Sequence, residues 1–117
     1  MDERIEKAFT VANYMATLSN QKRIILEEYN QKLILYVNGA TFKITPELIS
    51  FVKTLVDLGN VADVMLVDSN SSPIQIPDLK KFLDDIVSLY FEVTNEFAIK
   101  HSEIKNKRKV SDIVNIV

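Results

Sequence analysis

The residues that could carry chemistry are few in this 117-residue chain. There is no cysteine, which excludes disulfides, zinc–thiolate sites and a cysteine nucleophile. Phosphate-binding loops need glycines where the backbone approaches the anion. The chain has only Gly39, in a predicted hairpin turn, and Gly59, at a predicted helix end. A dinucleotide fingerprint and a Walker loop are therefore both excluded.

The segment Asp68–Ser72 begins like a calcium-binding EF-hand loop, with side-chain oxygens at its first, third and fifth positions. However, Pro73 replaces the glycine required at the sixth position, and Leu79 replaces the glutamate required at the twelfth. We interpret the segment as a turn. His101 is the only histidine and lacks the partners that a metal site or a catalytic triad needs, so we expect it to be solvated.

Two pairs of adjacent carboxylates, Glu27-Glu28 and Asp84-Asp85, are the remaining candidates for acid–base chemistry. Neighbouring side chains on a strand or a helix point in different directions, so neither pair forms a facing acid and base by itself. We interpret both pairs as surface charge. The sequence thus predicts no catalytic, cofactor-binding or metal-binding residues, no cofactor and no enzymatic activity.

A basic segment near the C-terminus could contact the phosphates of a nucleic acid through Lys105, Lys107, Arg108 and Lys109. The same cations would also complement the dipole at a helix C-terminus without any partner. No aromatic residue lies within the run to stack on a base. The net charge of −2 argues against bulk polyanion binding, so we retain nucleic-acid binding as the alternative function.

The first element that the sequence predicts is a helix capped by Asp2 and ending near Leu18. Its apolar stripe repeats at three- and four-residue steps and comprises Ile5, Ala8, Phe9, Ala12, Met15 and Leu18. The following segment, Arg23–Tyr29, has two interpretations. A turn at Asn30-Gln31 would make it a third strand with Leu26 opposite Leu35, giving a β-meander. Helical spacing also fits, so continuation of the first helix stays open, although we favour the meander.

Asn38-Gly39 predicts a type I′ β-hairpin, because both residues tolerate the positive φ that this two-residue turn requires. Pairing outward from the turn places Leu35 opposite Phe42 and Leu33 opposite Ile44. One face of the hairpin is then apolar: Leu33, Leu35, Val37, Ala40, Phe42 and Ile44.

A central helix is predicted to begin at Thr45-Pro46-Glu47, which supplies a cap, a first-position proline and an acid near the positive end of the dipole. Gly59 marks its end. We predict a buried strand over Val61–Val67. A short edge strand, Ile74–Ile76, follows between two prolines that cannot donate ladder hydrogen bonds.

The longest helix is predicted from Asp78 to about Asn106. At about 1.5 Å per residue it would be roughly 40 Å long, longer than a domain of this size needs across its own core. Its far end could therefore dock on a partner or on a second copy. The residues predicted for this interaction surface are Phe97, Ile104, Val110, Ile113 and Val114. Alternatively, the two earlier helices cover this stripe completely.

Together these elements predict an α+β fold: an N-terminal helix, an antiparallel β-meander or hairpin, a central helix, a second β-hairpin and a long C-terminal helix. We predict a single domain over residues 1–109 and an apolar C-terminal tail over residues 110–117. The charged N-terminus lacks the apolar stretch of a secretion signal, and no apolar run approaches the length of a membrane span. We therefore expect a cytoplasmic protein without a membrane partner.

The stretch FTVANYMATLSNQKRIILEEYNQKLILYVNGATFKITPELISFVKTLVDLG, with the later segment IQIPDL, resembles small uncharacterised proteins of T4-like phages, including those that infect marine cyanobacteria. The resemblance covers roughly the first half of the chain and carries no catalytic motif. It implies a phage-encoded protein that acts in the cytoplasm of the infected bacterium or in the virion.

The function that we predict is non-enzymatic. The absence of a chemical signature and the overlong amphipathic helix favour a structural or interaction protein, such as a small assembly, scaffold or adaptor component that forms a homo-oligomer. The alternative is an accessory nucleic-acid-binding protein that uses the basic segment.

Overall fold

The fold follows the predicted order of helix, hairpin, helix, hairpin and long helix, and the α+β class is confirmed. The computed structural model describes residues 2–114, with side-chain environments for residues 2–106. Seven elements follow along the chain: α1 (Glu3–Lys32), β1 (Ile34–Val37), β2 (Ala40–Lys43), α2 (Pro46–Asp57), β3 (Ala62–Val67), β4 (Pro73–Asp78) and α3 (Leu79–Val114).

The chain separates into two compact units. The helical unit combines Met1–Tyr29 with Asn95–Val117, and the mixed unit comprises Asn30–Thr94. The prediction of one domain over residues 1–109 stays a prediction. Residues 110–114 of the predicted tail continue α3 without a break, while the tail's side chains and residues 115–117 lie outside the described residues.

The predicted meander is wrong in one element: Arg23–Tyr29 is helical, and α1 continues to Lys32 instead of ending near Leu18. Residues 19–32 contain no glycine or proline, so no local signal ends the helix. An ion pair one turn apart, with Arg23 Nη1 2.8 Å from Glu27 Oε1, adds to its stability. Asp2 caps this helix as predicted, because its Oδ1 accepts the Arg4 N–H at 3.1 Å.

The hairpin of β1 and β2 has the predicted register, with Leu35 opposite Phe42. Asn38 and Gly39 adopt φ values of 49° and 81°, as the type I′ turn requires. Beyond the strands, the Ile44 N–H donates to the Leu33 carbonyl at 2.7 Å, which extends the predicted pairing. The predicted apolar face contributes four of the buried residues, namely Leu33, Ala40, Phe42 and Ile44.

Helix α2 begins and ends as its sequence predicts. Thr45 is the N-cap, and its hydroxyl oxygen accepts the Leu48 N–H at 3.1 Å. Gly59, with a φ of +89°, follows the helix. Val52 is completely buried on the inner face of α2.

Strand β3 is buried on one side only, which corrects the prediction of a buried strand. Its partner is β4 in an antiparallel two-stranded sheet, with Val64 opposite Ile76. Leu66 is buried, but Met65 and Val67 are 59% and 66% exposed. A two-stranded sheet that is covered on one face exposes every second residue to solvent, even where the sequence is apolar throughout.

The core of the mixed unit is apolar and includes an edge-to-face contact between Phe42 and Phe82, whose ring centroids are 5.1 Å apart. Burying one such large side chain contributes about 1.5–3 kcal/mol to folding. Its buried members are Leu33, Ala40, Phe42, Ile44, Val52, Leu66, Ile76, Leu79, Phe82, Ile86 and Val93.

Asp68 connects the two hairpins, and it is the one buried polar residue among the side chains that the structure describes, at 8% exposure. Its Oδ2 accepts the Thr41 N–H of β2 at 3.1 Å, and its Oδ1 accepts the N–H groups of Asn70 and Ser72 at 3.0 and 2.8 Å. The hydrogen bond from Ser72, followed by that from Thr41, lowers the pKa of the Asp68 carboxyl from its ordinary value of 3.8. Residues 68–72 thus form the expected turn.

We expect the substitution Gly39→Val to lower the thermal unfolding temperature by several degrees. No atom lies within 4 Å of an added Cβ, so the cost comes from the backbone. A β-branched residue resists positive φ, and a left-handed conformation costs roughly 1–2 kcal/mol for such a residue. Gly39→Asn is the matched control, and its unfolding temperature should fall much less, because asparagine tolerates positive φ. Equal melting temperatures for the valine variant and the wild type would contradict the role of the turn.

We expect Asp68→Asn to destabilise the protein at neutral pH, because the amide has one acceptor oxygen in place of two. Since the folded pKa lies below the unfolded value, the carboxylate's contribution is complete above about pH 4 and is lost as the pH falls through the folded pKa. Denaturant unfolding between pH 2 and 7 should show the two proteins converging in acid. Asp84→Asn, at an exposed position, is the control. A difference in unfolding free energy between the wild type and Asp68→Asn that stays constant with pH would contradict stabilisation by the ionised Asp68 carboxylate.

Candidate interaction surface

The first eleven residues of α1, from Glu3 to Asn13, are exposed on all sides. Every described residue from Asp2 to Asn13 is exposed, including Ile5 at 55% and Phe9 at 65%. A helix that packs on its own core normally buries one apolar stripe, and most helical stability in proteins comes from that packing. This part of α1 therefore presents apolar side chains that its own chain leaves in solvent.

A stretch of α1 that overlaps this exposed part is free of charge. Residues 8–21 are fourteen consecutive positions without an aspartate, glutamate, lysine or arginine. They include the exposed Phe9, and the centres of protein interfaces are enriched in aromatic residues and depleted of charged residues. Composition and exposure together identify this part of α1 as the strongest candidate for an interaction surface.

The other side of α1 faces α3 within the helical unit. The rings of Tyr29 and Phe97 are 4.7 Å apart between centroids. One and two α1 turns earlier, Ile25 and Gln21 line a cavity of about 220 Å³ together with Ile104. Because earlier α1 residues meet later α3 residues, the two helices run antiparallel.

The sequence predicts one continuous apolar stripe on α1, but the structure divides it between two sides. Leu18 is buried and Met15 is half-buried, whereas Ile5, Phe9 and Ala12 are exposed. At about 100° per residue, a step of three residues falls short of a full turn. The successive three-residue steps that lead to Leu18 therefore carry the stripe gradually around the helix. We call the exposed side, comprising Ile5, Phe9, Ala12 and Ala16, the α1 outer stripe.

A cluster of charges joins α1 and α3 beside the aromatic pair. Lys100 Nζ lies 2.9 Å from Glu96 Oε1 and 3.0 Å from Glu28 Oε2. Hydrogen bonds to Glu96 and then to Glu28 raise the pKa of Lys100 to about 12, so the ammonium stays charged at neutral pH. The cluster is partly exposed, so we expect its contribution to stability to be small.

Two of the five residues predicted for an interaction surface on α3 are described, and both lie against α1 of the same chain. Phe97 is half-buried in its contact with Tyr29, and Ile104 is buried. The side chains of Val110, Ile113 and Val114 lie outside the described residues. An intermolecular contact through this part of α3 stays a prediction.

Apolar spacing by itself does not identify the α1 outer stripe, because a core-facing helix has the same spacing. The uncharged stretch over residues 8–21 was the signal that could have identified it.

The basic segment is described in part. Lys105 is exposed on α3, while the side chains of Lys107, Arg108 and Lys109 lie outside the described residues. Phosphate contacts through these four residues stay a prediction.

The residues considered for acid–base chemistry have structural partners or lie at the surface. Glu27 pairs with Arg23, and Glu28 pairs with Lys100, so the two adjacent carboxylates diverge as expected. His101 is exposed, with its ring 5.9 Å from that of Phe97. Within the described part of the chain, no three histidine, cysteine, aspartate or glutamate side chains lie close enough to hold a metal ion.

A cavity of about 290 Å³ lies in the mixed unit. Val37, Ile76 and Phe82 supply apolar lining, and Asp78 and Lys81 supply charge. Asp78 also caps α3, because its Oδ1 accepts the Lys81 N–H at 3.1 Å. This hydrogen bond accounts for Asp78 as a part of the fold.

No helix among the described residues is both long enough and apolar enough to cross a membrane. Comparisons of the chain with protein-family models, with curated proteins and with solved structures found no match.

Proposed function

We propose that this protein is a non-enzymatic interaction protein, a small assembly, scaffold or adaptor component that self-associates through its helical unit. The observation that carries the proposal is the α1 outer stripe, which is apolar and exposed, and whose residues Phe9, Ala12 and Ala16 lie in an uncharged stretch of helix. Exposed apolar surface of this kind on a soluble protein marks an interaction site.

The energetics of α1 support an interaction at this stripe. Most helical stability in proteins comes from packing of an apolar face, and residues 2–13 bury no side chain within their own chain. Removing Phe9 and Ile5 from water would contribute up to about 1.5–3 kcal/mol to the free energy of association for each side chain that becomes fully buried. A partner on this face would therefore stabilise the part of α1 that its own chain supports least.

The roles of the acidic groups also support an interaction protein over an enzyme. Asp68 accepts three backbone N–H groups and has a lowered pKa, which suits a structural hydrogen-bond acceptor and opposes general-acid chemistry at neutral pH. Glu27 and Glu28 are each committed to an ion pair.

The cellular setting is proposed from the resemblance to T4-like phage proteins alone. On that basis the protein is phage-encoded and acts in the cytoplasm of the infected bacterium or in the virion.

We expect the wild-type protein to associate reversibly, with a sedimentation coefficient that rises with concentration, and Phe9→Glu to remain monomeric. The substitution places a charge in the centre of the α1 outer stripe, where association would have to desolvate it. Because Phe9 is exposed and glutamate is a good helix former, the monomer should keep its helical circular dichroism.

Leu26→Glu is the matched control for this experiment. Leu26 is an exposed leucine on the same helix, about 25 Å along the axis from Phe9 at 1.5 Å per residue. This variant should associate like the wild type. A wild-type protein that is monomeric at all accessible concentrations would contradict self-association.

A titration with single- and double-stranded DNA tests the alternative function, which is nucleic-acid binding through the basic segment. Replacing Lys105, Lys107, Arg108 and Lys109 with glutamine should leave folding and self-association unchanged. If the basic segment binds phosphates, wild-type binding should weaken steeply between 50 and 200 mM salt, and the glutamine variant should have a smaller salt slope. Absence of binding by the wild type at low salt would eliminate the alternative.

A further inference from the structure

We infer that the occupant of the α1 outer stripe is the same stripe of a second copy, packed antiparallel about a two-fold axis. Ile5 then lies opposite Ala16 of the second copy, and Phe9 lies opposite Ala12 of the second copy. The inference rests on the proposed self-association and adds to it the interface, its orientation and its register.

The four stripe residues share one side of α1. At about 100° per residue, residues 5, 9, 12 and 16 fall within an arc of about 60°. Gln21 and Ile25, which line a cavity together with residues of α3, lie on the roughly opposite side. A second helix can therefore pack on the outer stripe without displacing α3 from the inner side.

The order of side-chain sizes along the stripe makes it complementary to itself in one orientation. Two large residues, Ile5 and Phe9, are followed by two small ones, Ala12 and Ala16. In an antiparallel pair each large side chain meets an alanine, which fills the space between the helices evenly. A parallel pair would crowd the large residues at one end and leave a gap at the other.

This complementarity identifies a second copy as the partner. A two-fold axis makes the same patch meet itself, so that each contact occurs twice. The residue numbers of each opposed pair have the same sum, so the axis passes midway between residues 10 and 11 of the two helices. The two contacts already named are thus repeated on the other side of the axis.

The charges at the border of the stripe are compatible with this arrangement. Glu6 of one copy lies beside Asn13 of the second, and the asparagine amide can donate a hydrogen bond to the carboxylate. No charged residue lies between positions 8 and 21, so the central contact requires no desolvation of an ion.

The size of the interface sets the expected affinity. Four residues per copy bury less than the total of about 1,200 Å² typical of stable complexes, so we expect a reversible dimer with a dissociation constant in the micromolar range or weaker.

Cysteine cross-linking tests the register directly, because the natural chain has no cysteine. The full-length variants Ile5→Cys and Ala16→Cys are prepared separately, one with a small affinity tag, and are oxidised alone and as a mixture. In the inferred register the mixed pair is directly opposed. Like positions lie eleven residues apart, about 16 Å along the axis, beyond the 4.4–6.8 Å between Cα atoms that a disulfide permits.

The expected result is a disulfide-linked heterodimer from the mixture at a yield at least five-fold above that of either variant alone. Thr17→Cys is the control, since it is exposed but lies about 100° around the helix from Ala16, and with Ile5→Cys it should give only background yield. Circular dichroism of each variant verifies that the helices are retained.

Other outcomes overturn the inference in distinguishable ways. Efficient cross-linking of Ile5→Cys with itself would establish a parallel pair. Background yields in every mixture, with reversible wild-type dimers still present in sedimentation, would reject this interface and leave self-association standing. A monomeric wild type would reject both the interface and self-association, and the partner of the stripe would then be a different protein.

Discussion

The mixed unit depends on the hydrogen bonds that one buried carboxylate makes to the backbone. Each of its sheets has only two strands, and a two-stranded hairpin is marginal in water by itself. Asp68 satisfies the outward N–H of Thr41 on β2 while it closes its own turn through Asn70 and Ser72. The Ser69 N–H, 2.8 Å from the Thr41 carbonyl, continues the connection. These hydrogen bonds thereby join the two hairpins on which the apolar core packs.

The same contacts protect an exposed strand edge. The outer edge of β2 would otherwise present unpaired backbone groups, which can pair with other chains. Ser69 contributes its side chain as well, because its hydroxyl accepts the Lys43 N–H at 2.9 Å. A polar loop that resembles a calcium site in sequence thus serves to complete a sheet edge.

The helical unit is organised differently, because two helices can cover only one side of each other. Tyr29 and Phe97 pack in the seam, and Lys100 pairs across it with Glu28. The outer side of α1 keeps Ile5 and Phe9 in solvent. The outer side of α1 is thereby left for the interaction that we propose.

The sequence alone determined the features that depend on a few neighbouring residues. The turn at Asn38-Gly39 and the start of α2 at Thr45 follow from backbone φ preferences and capping, which act over one to four positions. The absence of thiol chemistry follows from composition. Tertiary structure decided whether Arg23–Tyr29 is helix or strand, since both spacings fit and only the packing partner distinguishes them. It also decided which side of α1 is covered, because burial depends on elements far away in the chain.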